Sequence, residues 1–257
     1  AAPAAPAPAP AVARVGPAVL EEREELVGGL RAVVWRPPAG AEWPAQPAVV
    51  ICAGNPARAL GASHMGAPLI VALFDAVVRA GFPALRFDYR GVGRNAEEGA
   101  EWRTPTPGES SEDALAVCGW ALENLGERLV IAGYSYGTSM SLGVLMARLA
   151  SAFVALSCGT EQWRMFEGDP EESARRKEDQ VRHSRVTVPA IYVCGEHDWI
   201  TNQEELARIL AAREDGGHGA TVEVLPGVKH ELLGQEAVAA EKAAAWLQAV
   251  FSSGGGV

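Results

Sequence analysis

The pentapeptide Gly133-Tyr134-Ser135-Tyr136-Gly137 places a serine where its hydroxyl could act as a nucleophile. An apolar run, 129–132, precedes it and a predicted helix follows, so a strand would turn directly into a helix at Ser135. Such a turn lifts the hydroxyl clear of its own backbone, and the two glycines let neighbouring segments approach closely. A glycine-rich turn between buried elements is the alternative, but the strand, the helix and the order of the downstream partners favour a nucleophile.

A nucleophilic serine needs a base within hydrogen-bond reach, and we predict that this base is His230. It follows the last predicted strand, in the sequence Gly227-Val228-Lys229-His230. A loop after a parallel strand opens at the same edge of the sheet as the turn at Ser135.

The other four histidines are weaker candidates for the base. His64 lies near the start of a helix and could border the pocket, and His183 lies in a charged segment. His197 adjoins the predicted acid, and His218 lies in a glycine-rich turn.

The base must be oriented by a carboxylate, and Asp198 is the candidate that we favour. It lies in the sequence Gly195-Glu196-His197-Asp198-Trp199, after the strand predicted over 189–194 and one strand before His230. Trp199 is an apolar neighbour that would shield the carboxylate from water. Two other carboxylates remain alternatives: Glu196, in the same turn, and Glu161, one strand earlier.

The oxyanion that forms at an attacked carbonyl would need two backbone N–H donors. One belongs to Tyr136, the residue after the nucleophile. The other comes from the loop after the strand predicted over 48–53, which contains Gly54-Asn55-Pro56. Because proline has no N–H, we predict Asn55 as this donor.

The segment between the strands predicted over 153–158 and 189–194 is short, so we expect a minimal cap and an open site. Within it, residues 161–185 are charged and predicted to be helical. Apolar side chains in or beside this segment could form a rim that binds substrate, or could instead seat the helix on the sheet. They are Trp163, Met165, Phe166 and Trp199.

The segment 86–94 carries four charges, yet we interpret it as structural. Asp88 and Arg90 are expected to pair with each other and to tie down the polar loop 90–106 beneath the site. No Walker A sequence is present, and Gly91-Val92-Gly93 lacks the third glycine of a dinucleotide-binding turn. The sequence therefore argues against a nucleotide site.

Strands and helices alternate with short connections from Ala48 onward, which predicts a mostly parallel α/β sheet with helices on both faces. Before that, strands over 20–27 and 30–35 are expected to form a hairpin. The other strands are predicted over 48–53, 83–89, 128–133, 153–158, 189–194 and 221–225. Further helices are predicted around 69–78 and over 109–124 (capped by Ser110 or Ser111), 136–149, 202–213 and 237–251.

At 257 residues the chain suits one domain, predicted over 20–251. The alanine- and proline-rich tail 1–19 is expected to be disordered, and 252–257 to be a flexible end. The net charge of −10 argues against nucleic acid and anionic membranes as partners, and no apolar run could span a bilayer.

Four cysteines are spread over the chain, at positions 52, 118, 158 and 194. We expect reduced thiols in an intracellular protein, with a disulfide in a secreted protein as the alternative. The expected location is cytoplasmic, or organellar after removal of a targeting segment.

The motifs resemble those of the α/β-hydrolase superfamily, from about Leu20 to Phe251. They are the turn 133–137, the loop Asp88-Tyr89-Arg90-Gly91-Val92-Gly93 and the turns 195–198 and 227–230. The chain is similar to small, lid-poor serine hydrolases, such as dienelactone hydrolases and serine aminopeptidase-like hydrolases. The resemblance implies an eight-stranded, mostly parallel sheet and a Ser-His-Asp triad. Relatives often carry a His-Gly or His-Pro-His-Pro type sequence at the oxyanion loop, where this chain has Ala53-Gly54-Asn55-Pro56.

Together these features predict a serine hydrolase that cleaves a carboxylic ester or thioester through Ser135, His230 and Asp198. The expected partner is a small-molecule substrate, the chemistry needs no metal or cofactor, and no pattern points to a particular oligomeric state. Three alternatives remain open: an amidase or peptidase with the same triad, a lyase or acyltransferase, and a non-catalytic scaffold that binds a ligand or partner.

Overall fold

The computed structural model describes residues 22–38, 46–56, 63–98, 102–159, 184–213 and 215–252. These ranges contain one sheet of eight strands. The strands are β1 (Arg23–Val27), β2 (Leu30–Trp35), β3 (Ala48–Cys52), β4 (Ala84–Phe87), β5 (Leu129–Tyr134), β6 (Ala152–Leu156), β7 (Ala190–Gly195) and β8 (Ala220–Leu225). The helices in these ranges are α1 (Pro68–Arg79), α2 (Pro107–Asn124), α3 (Tyr136–Met146), α4 (Gln203–Ala211) and α5 (Glu236–Ser252), with a 3₁₀ turn at Gly93–Asn95.

The strand order across the sheet is β1-β2-β4-β3-β5-β6-β7-β8. The first two pairings, β1 with β2 and β2 with β4, are antiparallel, and every later pairing is parallel. The predicted hairpin and the predicted mostly parallel sheet are therefore confirmed. The parallel strands from β3 to β8 all end at one edge, so the loops that follow them gather there.

Strand β3 shows why helices cover both faces of this sheet. All five of its residues are buried, and alternate side chains point to opposite faces. Val49 and Ile51 belong to the apolar core beneath α1 and α5. Val50 and Cys52 belong to the core beneath α2 and α3. Fully burying a side chain as large as Ile51 stabilises the fold by about 1.5–3 kcal/mol, so both layers contribute.

Most predicted elements are confirmed within one to three residues at each end, but the cap of α2 is not. The helix begins at Pro107, and Thr106 caps it. Thr106 and Glu109 form a reciprocal capping box in which each side chain accepts the backbone N–H of the other residue. The prediction of Ser110 or Ser111 was wrong because Ser110 lies inside the first turn, where its buried side chain accepts the hydroxyl of Tyr136.

Several predictions fall on residues outside the described ranges. These are the helix over 161–185, apart from its last two residues, the tail 1–19 and most of the end 252–257, of which Ser252 closes α5. All four cysteines are described, are buried and are thiols rather than disulfides, as predicted. No helix among the described residues is both long and apolar enough to cross a membrane.

Replacing Thr106 with Ala should lower the free energy of unfolding by about 1 kcal/mol, because the N–H of Glu109 loses its acceptor. Chemical denaturation monitored by circular dichroism measures this change. Thr104→Ala, at an exposed position just before the helix, is the matched control and should change stability little. Equal stabilities of the two variants would show that the capping box does not hold the start of α2.

Candidate active site at the carboxyl edge of the sheet

The turn between β5 and α3 holds Ser135 in an unusual backbone conformation. Its φ is 51° and its ψ is −114°, which is uncommon for a residue with a side chain and costs on the order of 1–3 kcal/mol. The flanking glycines make the turn possible. A Cβ on Gly133 would lie 2.4 Å from the carbonyl oxygen of Gly137, and one on Gly137 would lie 2.3 Å from that of Cys52. Close packing of three backbone segments therefore fixes the position of Ser135.

Ser135, His230 and Asp198 are connected by hydrogen bonds. Oγ of Ser135 lies 2.9 Å from Nε2 of His230, and Nδ1 of His230 lies 2.9 Å from Oδ1 of Asp198. All three residues are buried, with exposed fractions of 5%, 2% and 8% respectively. The structure thus brings together side chains that the sequence places 32 and 95 residues from His230.

Asp198 has the environment of an ionised carboxylate. Oδ1 accepts the backbone N–H groups of Ile200 and Thr201, both at 2.9 Å, and Oδ2 accepts the hydroxyl of Thr201 at 2.8 Å. Burial alone would raise the pKa of Asp198, but the hydrogen bonds from His230 and Thr201 and the attraction to His230 outweigh it and lower that pKa. Since a carboxylate can only accept, Nδ1 of His230 must carry a proton and Nε2 is left to accept from Ser135.

The turns after β7 and β8, which carry the acid and the histidine, are joined through their backbones. The N–H of His197 donates to the carbonyl of Val228 at 2.8 Å. A Cβ on Gly195 would lie 2.2 Å from that same carbonyl oxygen, so only glycine fits there without a shift. This contact holds the turn that carries Asp198 against the turn that carries His230.

The alternative acids and bases lie elsewhere. Glu196 is exposed and accepts the backbone N–H of Gly227 at 2.7 Å, so its carboxylate bonds to the turn after β8 and not to the imidazole. Nδ1 of His64 accepts the N–H of Gly66, and its ring packs edge-on against Trp102. His197 and His218 are exposed. The remaining two, Glu161 and His183, lie outside the described residues.

The two predicted oxyanion donors lie at the same edge as Ser135. Cys52 on β3 is opposite Gly133 on β5, so Asn55, three residues further along, lies in the loop beside the turn. Tyr136 is the first residue of α3, where backbone N–H groups point out of the helix and favour negative charge. The structure thus places both residues at the expected edge, and their role as oxyanion donors stays a prediction.

Of the predicted substrate-binding residues, the structure describes Trp199. About half of it is exposed (49%), and its ring centroid lies 6.3 Å from that of His230. It therefore offers apolar surface beside the imidazole. The other apolar residues predicted for the rim, Trp163, Met165 and Phe166, lie outside the described residues.

The predicted pairing of Asp88 with Arg90 is wrong. Arg90 instead pairs with Asp113 on α2, with an N···O distance of 2.6 Å. Asp88 is buried and accepts the backbone N–H groups of Met65 and Arg94, at 2.7 Å and 2.9 Å. Its burial raises the pKa of the carboxyl despite these bonds. Both residues do hold the loop in place, but through other partners. Arg90 pairs with Asp113 on α2, and Asp88 accepts backbone N–H groups.

Sequence reasoning missed three residues that support the site. Thr201 holds Asp198, and its place three residues later is a spacing typical of local carboxylate–backbone turns. Tyr134 and Ser157 direct their hydroxyls to the carbonyl oxygen of His230, and no local pattern reveals contacts with a residue so far along the chain. Within the described ranges, no group of three or more His, Cys, Asp or Glu residues could hold a metal ion.

A scan against protein-family models and a search of curated proteins found no match to this sequence. Solved structures do match. An α/β serine hydrolase without a lid from Xanthomonas campestris has a TM-score of 0.67 at 18% identity, over 90% of this chain and 95% of that chain. Est1E from Butyrivibrio proteoclasticus, in a structure with bound ferulic acid, has a TM-score of 0.70 at 17% identity, over 90% and 99%. The esterase domain of a Rhodothermus marinus protein has a TM-score of 0.61 at 16% identity, over 86% and 92%.

These similarities establish that the chain has the α/β-hydrolase fold, as the sequence motifs predicted. With identities of 16–18%, they concern the fold and not the substrate. The chemistry has to be argued from the side chains of the site.

Replacing Gly195 with Ala should lower the free energy of unfolding by about 1–3 kcal/mol, because the added methyl overlaps the carbonyl of Val228. Denaturant unfolding measures the loss. Gly119→Ala is the matched control. Nothing lies within 4 Å of a Cβ at that position in α2, so the change should raise stability by about 0.5–1 kcal/mol. A Gly195→Ala variant as stable as the unmodified protein would contradict the tight contact between the two turns.

Proposed function

We propose that this protein is a serine hydrolase that cleaves a carboxylic ester or thioester through Ser135, His230 and Asp198. The observation that carries the proposal is the unbroken hydrogen-bonded series from Oγ of Ser135 through the imidazole to the carboxylate, with both distances at 2.9 Å. Serine is a weak nucleophile unless a base takes its proton, and this arrangement supplies an oriented base. The hydrolases and esterases among its structural neighbours support the same class.

In the proposed mechanism, Oγ of Ser135 attacks the carbonyl carbon while Nε2 of His230 takes the hydroxyl proton. Asp198 stabilises the imidazolium, and the N–H groups of Asn55 and Tyr136 donate to the oxyanion. When the tetrahedral intermediate collapses, the bond to the alcohol or thiol breaks and His230 gives its proton to that leaving group. Water then attacks the acyl-enzyme, His230 takes a proton from it, and the acid departs as Ser135 regains its hydrogen.

The substrate is expected to be a small molecule with an apolar group near the scissile bond. Trp199 supports this, since half of its surface is exposed and its ring adjoins His230. Trp163 and Phe166 are proposed to extend the same apolar rim. The ferulic acid bound in the Est1E structure is an aromatic acid of the kind that such a surface would suit.

Ser135→Ala should abolish hydrolysis of p-nitrophenyl acetate, because the attacking oxygen is gone, while the fold remains. The measurement is the release of p-nitrophenol, followed over esters of increasing acyl length and beside thioester and anilide substrates.

A fluorophosphonate probe should label the unmodified protein at residue 135 and leave the variant unlabelled. Hydrolysis retained by a folded variant would rule out this nucleophile. Faster anilide cleavage would favour an amidase, and no labelling of the unmodified protein would favour a scaffold.

Asp198→Asn should lower kcat by roughly a thousandfold or more, because the amide can no longer hold the imidazole in the reactive tautomer. The matched control is Glu196→Gln, which changes a carboxylate in the same turn that bonds to the backbone of Gly227. It should leave kcat within about threefold. Steady-state kinetics on one activated ester compares the two variants. A large loss in Glu196→Gln and none in Asp198→Asn would transfer the role to Glu196.

A further inference from the structure

The end of strand β6 is bonded to the backbones of both proposed reacting residues. Leu156, its last residue, accepts the backbone N–H of Ser135 on its carbonyl oxygen at 2.9 Å. The next residue, Ser157, donates its hydroxyl to the carbonyl oxygen of His230, also at 2.9 Å. Two adjacent residues thus connect a nucleophile and a base that are 95 positions apart in the sequence.

Ser157 occupies a backbone conformation that a residue with a side chain rarely adopts. Its φ is 46°, and glycine would adopt this angle without steric cost. The residue is fully buried, and a buried hydroxyl is costly unless it is hydrogen-bonded. The carbonyl of His230 satisfies this hydroxyl. The hydrogen bond of the side chain therefore explains why a serine stands at this position, whereas the backbone conformation alone would favour glycine.

Backbone strain is concentrated around the histidine. Four non-glycine residues of the described chain have positive φ, and three of them belong to this site. They are Ser135, Ser157 and Leu232, with φ values of 51°, 46° and 54°. Strained residues persist where the surrounding structure holds them, and they are common at active sites. Leu232 lies two residues after His230, and its N–H donates to the carbonyl oxygen of Lys229 at 3.2 Å, so this short turn encloses the carbonyl that Ser157 holds.

We propose that Ser157 is a positioning residue for His230, whose backbone carbonyl it fixes so that the imidazole stays between Ser135 and Asp198. The inference rests on the proposed function, since it takes His230 as the base. Ser157 acts through the backbone of the histidine and not on the substrate. The hydroxyl of Tyr134 reaches the same carbonyl at 3.4 Å, a longer and weaker contact than the bond from Ser157 at 2.9 Å.

Two variants separate the hydroxyl of Ser157 from its strained backbone. Ser157→Ala and Ser157→Gly both remove the hydroxyl, but glycine also relieves the strain and should be at least as stable as alanine. Both should lower kcat on p-nitrophenyl acetate about tenfold or more, because a displaced base loses its alignment. KM should stay within about twofold in both, since substrate binding is not altered.

Ser151 provides the matched control at the other end of β6. Its hydroxyl donates to the carbonyl oxygen of Leu129 at 2.9 Å, so Ser151→Ala removes an equivalent hydrogen bond far from the site. Its kcat should stay within about twofold of the unmodified protein. The proposal is overturned if folded Ser157→Gly keeps the full kcat, whether or not Ser157→Ala does, because activity would then not depend on the hydroxyl.

Proton NMR keeps this test separate from the test of the hydrolase itself. The proton on Nδ1 of His230, bonded to Asp198, should give a low-field signal even if the protein cleaves no ester. An inactive unmodified protein would defeat the proposed function alone. The role of Ser157 would then depend on this signal, which should shift or broaden in Ser157→Gly and stay unchanged in Ser151→Ala. An unchanged signal in Ser157→Gly would overturn the positioning role.

Discussion

The close approach of three backbone segments around Ser135 is the contact on which the rest of the site depends. Strand β5, the start of α3 and the end of β3 meet at distances that leave no room for a Cβ on Gly133 or Gly137. This packing turns the strand into a helix within one residue and aims the serine out of the sheet edge. It also holds the end of β3, which leads into the loop of Asn55, against the first turn of α3, so the same contact positions the proposed nucleophile and the proposed oxyanion donors.

The polar groups at this edge are buried and mutually satisfied. Asp198 accepts hydrogen bonds from Ile200, Thr201 and His230. Because Ser135, His230 and Asp198 are buried, a missing partner would leave a buried polar group unsatisfied at a cost of about 1–3 kcal/mol. Each side chain is therefore confined to one arrangement, which is the condition for a serine to be activated without large reorganisation.

Those parts of the fold that local patterns control were predictable from the sequence. Apolar runs located β3 and β5, and the glycines around Ser135 located the sharp turn between strand and helix. The relation of Ser135 to Asp198 and His230 followed from one topological fact, that parallel strands carry their following loops to a single edge. Thr106 could also have been found, since a threonine three residues before a glutamate is the pattern of a capping box.

Contacts between distant segments were not predictable in this way. Arg90 was expected to pair with Asp88, two residues away, but it pairs with Asp113 on α2, while backbone N–H groups satisfy Asp88. The bond from Ser157 to the carbonyl of His230 depends on how the loop after β8 folds over β6. Neither residue carries a local signal of the other, because the choice of partner is made by packing across the sheet.

The burial of the cysteines has a consequence for how the protein would respond to oxidants and electrophiles. Burial raises the pKa of Cys52 to about 12 and that of Cys194 to about 11, and it also raises the pKa of Cys118. The thiolate is the form that peroxide and alkylating agents attack. At neutral pH these sulfur atoms therefore remain protonated and enclosed, and oxidative stress would leave them intact while the fold persists.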